Sequence, residues 1–240
     1  MRKIRVFLVL ATATASFTLA GCGTDGAVTQ SQSSLQREID ISVLRVGHYN
    51  YIPFDTPEKL ATSKVTQVVA QGEVAGFAAG RTIVGADPND KRYYVVMDVK
   101  VTRKLKGVVG TPADQTGHVY VELFRGPVCN DTMQPCRSID DFNRAIPSGT
   151  KILLFGNDGS TPFAVDANGH SEGDDAGRPK GSPLLRPYPQ GLLLEQTTAS
   201  GKEVLGGLEE DIPKGWLTPS ITKTGLDAIA DRVAAAGFNG

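Results

Sequence analysis

Between residues 65 and 155 the apolar positions follow a two-residue period, the signature of strands rather than helices. Val68-Val69-Ala70 and Val74-Ala75 are interrupted by Gly72 and Gly76, which in a strand mark bulges or sharp curvature. Arg81-Thr82-Ile83-Val84 continues after Gly80 and stops at the turn Asp87-Pro88-Asn89-Asp90. The clearest strand runs over residues 93–102, with Val95, Met97, Val99 and Val101 on one face. Val119, Val121 and Leu123 share a face across residues 118–124, with Tyr120 and Glu122 opposite. A short helix at about 140–145 precedes the apolar run Ile152-Leu153-Leu154-Phe155, which closes at Asn157-Asp158-Gly159.

Helical signals appear in two further places. Asp55 or Thr56 caps a short helix that begins at Pro57 and turns Leu60 and Ala61 inward. Near the end, Leu226, Ile229, Ala230, Val233 and Ala234 share one face, Thr224 and Asp227 read as a capping box, and Gly237 is the stop. Before that helix, residues 191–195 and 203–205 predict a hairpin turning near Ser200-Gly201.

Five or so curved strands with one short helix among them predict a mainly β fold: a small, partly open OB-like barrel, with a β-hairpin and a C-terminal α-helix appended. Residues 38–240 are read as one globular domain, with the OB-like part at about 60–165 and the hairpin and helix at about 185–238. Val-Val-x-x-Gly-x-Val at 68–74, Val-x-x-x-Leu-Lys-Gly at 101–107 and Ser-Gly-x-x-Ile-Leu-Leu-Phe at 148–155 resemble the OB-fold modules of the netrin and metalloproteinase-inhibitor type. The resemblance spans about residues 60–160 and implies a fold. It does not imply inhibition, because those inhibitors chelate a protease metal through a free N-terminal cysteine, and no such cysteine is expected here.

The reason lies at the start of the chain. Arg2, Lys3 and Arg5 precede an apolar stretch over residues 6–20, the layout of a secretory signal peptide at 1–21 and too short for a comfortable membrane span. Leu19-Ala20-Gly21-Cys22 resembles the lipobox of bacterial lipoproteins, which implies that Cys22 is the lipid attachment point and the first residue of the mature chain. Residues 22–37 are small and polar, a flexible tether reaching roughly 20 Å from the lipid. An exported chain, anchored by lipid to the outer side of the cell membrane, is the expected location.

Removing Arg2, Lys3 and Arg5 with the leader takes 25 basic residues to 22 against 26 acidic ones, a mature net charge of −4. A chain of that balance has no general attraction for nucleic acid. Its partners are then the membrane, through Cys22, and another envelope protein. The two other cysteines, Cys129 and Cys136, are expected to pair outside the cytoplasm. Together with His48, His118 and His170 they lack zinc-site spacing, and no cofactor motif is present.

Several constellations invite a chemical reading. Gly169-His170-Ser171-Glu172-Gly173 matches G-x-S-x-G, but no histidine follows Ser171, and a loop rather than a helix comes next. Asp166, Asn168, Glu172, Asp174 and Asp175 offer oxygen ligands for calcium, against the plainer reading of an acidic loop, and their spacing is not that of an EF-hand. Arg103, Lys104 and Lys106, with Lys91 and Arg92, read as a solvated strand end or as a contact for anionic headgroups. His118 has no acid at catalytic spacing. His48, Tyr49, Tyr51 and Phe54 line a possible ligand groove or else plug the barrel end.

No catalytic motif survives, so a non-catalytic binding or envelope-assembly role is the favoured expectation. An enzyme or enzyme accessory acting on cell-envelope material is the alternative; Asp98, Glu122 and Asp158 would be its candidate acids. A transporter's solute receptor fits poorly, since two α/β lobes are missing.

Overall fold

The structure, a computed structural model, describes residues 38–47, 49–108, 110–129, 132–161, 168–209, 211–216 and 224–237. The leader, Cys22, the tether, His48 and Asp166 lie outside the described residues.

The fold is mainly β, and its sheet rings round. The long strand β1 (Val68–Val84) runs antiparallel to β2 (Lys91–Lys106), and β2 runs antiparallel to β3 (His118–Phe124). Two very short strands, β4 (Val128–Cys129) and β5 (Gln134–Pro135), form a separate ribbon closed by the Cys129–Cys136 disulfide. After β6 (Lys151–Asp158) and β7 (His170–Glu172) comes β8 (Leu184–Thr198). β3 pairs with β8 in parallel, β8 with β6 and β6 with β1 antiparallel, which returns the sheet to its first strand. β9 (Gly201–Gly206) is the second arm of the hairpin on β8, and β7 pairs with the far end of β1.

The glycine-marked curvature of β1 shows as breaks in its register with β2 at 71/72, 74/76 and 79/82. Gly72 is the tightest of these points, because a Cβ there would run into the Lys100 carbonyl. Bent this way, β1 pairs with β2 and β6 at one end and with β2 and β7 at the other.

Two apolar layers form on opposite sides of this wall. Inside the ring, Val74, Val95, Met97, Val99, Val119, Val121, Ile152, Leu154, Leu192 and Leu194 pack together, closed at one end by Phe142 and Ile146. Phe142 belongs to α3 (Ile139–Ala145), which opens on a complete capping box between Ser138 and Asp141. Outside, Leu153, Phe155 and Leu193 carry α1 (Pro57–Thr62), Trp216 and α4 (Leu226–Ala235). A fourth helix, α2 (Pro112–Thr116), lies between β2 and β3. β6 and β8 are therefore buried on both faces, which explains why their sequences are continuous apolar runs rather than alternating ones.

Two expectations need adjusting. The hairpin is not an appendage: its first arm, β8, is the strand that closes the ring, so the ring extends well past residue 165. The helix cap is also different. Gly225, at φ 63°, occupies the N-cap position, and no side chain of the local sequence caps the helix. Glu195 on β8 accepts from the Leu226 N–H at 2.8 Å instead. A Cβ on residue 225 would collide with that same carboxylate. Burial works against the charge of Asp227, but the Gln71 amide, Lys151 and Lys202 hold its carboxyl below the usual carboxylate range. Among the described residues no helix is long and apolar enough to cross a membrane.

Candidate functional site: a cleft between β3 and β8

β8 stays beside β3 only through Tyr120↔Leu184 and Val121↔Leu185. Arg186 and Pro187 then pair with Asn157 and Gly156 of β6, and the next residues loop out before Leu192 rejoins opposite Leu154. Pro187 and Pro189 have no N–H to offer a neighbouring strand. The result is a gap beside Glu122, Leu123 and Phe124 of β3.

That gap is a cleft of ≈ 150 Å³ lined by Tyr49, Tyr94, Leu123, Phe124, Pro187, Pro189 and Leu208, with Glu122 and Arg186 at its base. Tyr94 and Phe124 meet edge to face, their centroids 6.1 Å apart. Two wider hollows exist elsewhere. One of ≈ 350 Å³ lies over Gln71, Lys151 and Asp227, and one of ≈ 290 Å³ over Ser148, Thr150 and Gln196. Both are lined mainly by polar or paired charged groups and lack an aromatic wall.

The base of the cleft is a charge cluster. Arg81 Nε donates to Glu122 Oε1 at 2.7 Å and Nη2 to Oε2 at 2.8 Å, a bidentate pair. The remaining Arg81 donors reach the Gly159 and Ser160 carbonyls at 2.7 and 2.9 Å. Arg186 Nη2 adds a contact to Glu122 Oε2 at 3.3 Å and another to the Thr161 carbonyl at 3.0 Å. Both Glu122 oxygens are thus engaged by guanidinium protons, which leaves the carboxylate poorly placed to take a proton from a substrate.

No protein-family model, curated protein or solved structure matches this chain.

Of the groove residues expected from sequence, Tyr49 lines the cleft, whereas Tyr51 and Phe54 stack edge-on against Tyr188, at 5.6 and 5.5 Å. The three candidate acids have separate partners. Asp158 accepts from Ser160, whose hydroxyl and N–H hold its carboxyl below the usual range, Glu122 is locked as described, and Asp98 lies 2.6 Å from His118 Nδ1. That last contact corrects the view of His118 as lacking an acid: Asp98 is a diagonal cross-strand neighbour, 20 positions away along the chain. Among the described residues no group of three or more His, Cys, Asp or Glu side chains converges to hold a metal ion.

Ser171 sits on β7 opposite Ile83, and its hydroxyl donates to Asp174. Arg178 ties the same loop through the Asp174 and Ser182 carbonyls. The basic run is engaged within the molecule: Arg103 with Asp231 at 2.6 Å, Lys104 with Asp114, and Lys106 with the Ala61 and Thr66 carbonyls.

Burial pushes the Tyr49 phenol up, with Glu209 and Tyr94 adding to it, and burial does the same for Tyr94, helped by Glu122 and opposed by the nearby arginines. A phenol whose pKa is raised on folding stabilises the native state below its unfolded value, near 10, and that contribution is lost as pH rises toward the folded value. Phenolate absorbance should therefore show tyrosines that ionise above pH 10 in the native protein and near pH 10 in denaturant, with stability falling across that window. Coincident titration in the two states would contradict the buried placement.

Proposed function

We propose that the chain is an exported lipoprotein, held at the membrane through Cys22, whose β domain is an OB-like barrel acting as a non-catalytic binding module. The parallel β3–β8 pairing, the helix between β3 and β6 and the cyclic strand order support the OB-like reading. Such barrels bind ligands on strands 2 and 3 and the loops beside them. The lipobox residues and the polar tether support the anchor.

The observation that carries the binding reading is the cleft itself. It places aromatic and proline surface over a charge cluster whose members already satisfy one another. An apolar pocket with few, fixed polar groups is the usual form of a recognition site. An enzyme would instead need an acid with an oxygen available to the substrate, and Glu122 is committed to Arg81.

The test is membrane fractionation followed by cross-linking of the full-length chain in its own membranes. The wild-type chain should partition with the membrane, with a mass beginning at an acylated Cys22, and Cys22→Ala should leave the membrane fraction. Cross-links from the wild-type chain should concentrate around Tyr49, Tyr94 and Phe124. Unchanged fractionation of Cys22→Ala would sink the anchor, and cross-links scattered over the surface would sink the cleft.

A further inference from the structure

We infer that the cleft takes an uncharged pyranose ring, one hexose or N-acetylhexosamine unit of a glycan. This deepens the binding-module reading above and rests on it.

The charges around the cleft leave no surplus for an ionic ligand. Arg81, Arg186 and Arg92 all act on the Tyr94 phenol, and each already has a carboxylate: Glu122 for the first two, at 2.7 and 3.3 Å, and Asp90 for Arg92, at 3.5 Å. Glu209 acts on the Tyr49 phenol and has no ion pair among the described residues. An anion entering the cleft meets the Glu209 carboxylate, and a cation meets the guanidiniums. An uncharged group meets neither penalty.

Tyr49 and Tyr94 set the polar requirement. Neither hydroxyl has a hydrogen-bond partner among the described residues, and neither is sealed from solvent. A ligand that covered them with hydrocarbon alone would strand two phenols. A rim of hydroxyls gives each a partner, because a hydroxyl both donates and accepts. The rest of the wall asks for the opposite, since Leu123, Phe124, Pro187, Pro189 and Leu208 bring no polar side-chain atom. A pyranose ring meets both demands: its faces carry C–H bonds that pack on aromatic and proline surface, and its edge carries hydroxyls.

Size limits the occupant to one ring. The hollow of ≈ 150 Å³ is smaller than the roughly 300–1,000 Å³ of pockets for larger ligands. The other aromatic group does not extend it. Phe54 and Tyr188 pack against the outer apolar layer, whereas Tyr49 packs against the inner one. A proline helix, at about 3.1 Å per residue, needs a row of rings along its length, and the cleft has a single cluster.

The test titrates the full-length lipidated chain, in phosphatidylcholine nanodiscs, with a panel of short oligosaccharides. The panel holds glucose and N-acetylglucosamine oligomers of α and β linkage, with oligogalacturonate and de-acetylated glucosamine oligomers as anionic and cationic counterparts. An uncharged oligomer should bind, and the charged ones should bind more weakly. Tyr49→Phe and Tyr94→Phe each remove one oxygen and should weaken binding roughly three- to tenfold, the range of one net hydrogen bond. Tyr51→Phe, outside the cleft, should bind as the wild type does, and an unchanged thermal midpoint checks the fold of all three. Adding a neutral glycosyl diacylglycerol to the nanodisc separates two sources of the ring: competition with the soluble oligomer identifies a lipid headgroup, and no competition identifies a glycan away from the bilayer.

No binding by any uncharged oligomer, tighter binding by a charged one, or wild-type affinity in both cleft variants would each overturn the sugar ring. Cross-links that still concentrate around Tyr49, Tyr94 and Phe124 would then leave the cleft as a binding site for a different occupant. Scattered cross-links would mean that the binding-module reading itself had failed.

Discussion

Replacing Arg81 by methionine should cost the domain about 3–5 kcal/mol, the penalty of leaving a buried carboxylate with only its longer contact to Arg186. Arg81 and Glu122 have side-chain exposures of only 2% and 1%, so solvent cannot take over when one is removed. Arg81 also holds the Gly159 and Ser160 carbonyls, so the change loosens the chain just after β6 as well. For a domain of this size the midpoint of thermal unfolding should fall by on the order of 10 °C. The double substitution Arg81→Met with Glu122→Leu should recover most of the loss, because the unpaired charge is then gone. An unaltered midpoint in the single variant, or no recovery in the double one, would show that the pair is not buried as described. Lys59 and Asp55 make a useful contrast: they also pair at 2.8 Å but are 62% and 80% exposed, and Lys59→Ala should change little.

The second large effect should come from Trp216→Ala. Trp216 is among the largest fully buried side chains; its ring meets Phe155 edge to face at 5.5 Å, and its indole N–H donates to the Phe54 carbonyl at 2.9 Å. Truncation leaves a cavity and an orphaned carbonyl, a loss of about 3–5 kcal/mol in denaturant unfolding. The damage should be one-sided. Amides of α4 and the residues around Phe54 should lose exchange protection, while the inner layer around Met97 and Val121 keeps its own. Uniform loss across both layers would mean that the two cores behave as one.

Much of this fold is legible in the sequence because it is written locally. The alternation of Val95, Met97, Val99 and Val101, the Thr56-Pro57 helix start and the Ser138-to-Asp141 box all act within a few residues. The runs at 152–155 and 192–194 are visible too, but a continuous apolar run does not say what lies on each face. Only the assembled sheet shows that Leu153 and Leu193 face a second layer. The Glu195 cap on α4 was hidden for the same reason: the carboxylate comes from a strand 31 positions earlier.

The site is less legible. Tyr49 and Glu122 stand out in the sequence as an aromatic in an extended stretch and a charge among apolar strand residues. Arg186 lines the cleft with both of them and Arg81 holds Glu122 beneath it, and neither arginine has a local reason to be noticed. The clue available is a coincidence of opposite charges in two otherwise apolar strands, since each needs a partner if its strand is buried. The cleft itself arises where Pro187 and Pro189 meet a change of partner strand, and no single segment carries that information.

The outer layer also sets an order of events. Arg232 of α4 forms a two-pronged ion pair with Glu58 of α1, at 2.7 and 3.1 Å, across 174 positions of sequence. A chain that emerges from its N-terminus must therefore hold α1 in waiting until nearly its last helix appears. Until then Leu153, Phe155 and Leu193 lack the part of their cover that α4 supplies, and a nascent domain stopped short of α4 leaves apolar surface exposed. The final docking of α4 works as a clasp, and the interval before it closes is when the domain is most open to aggregation.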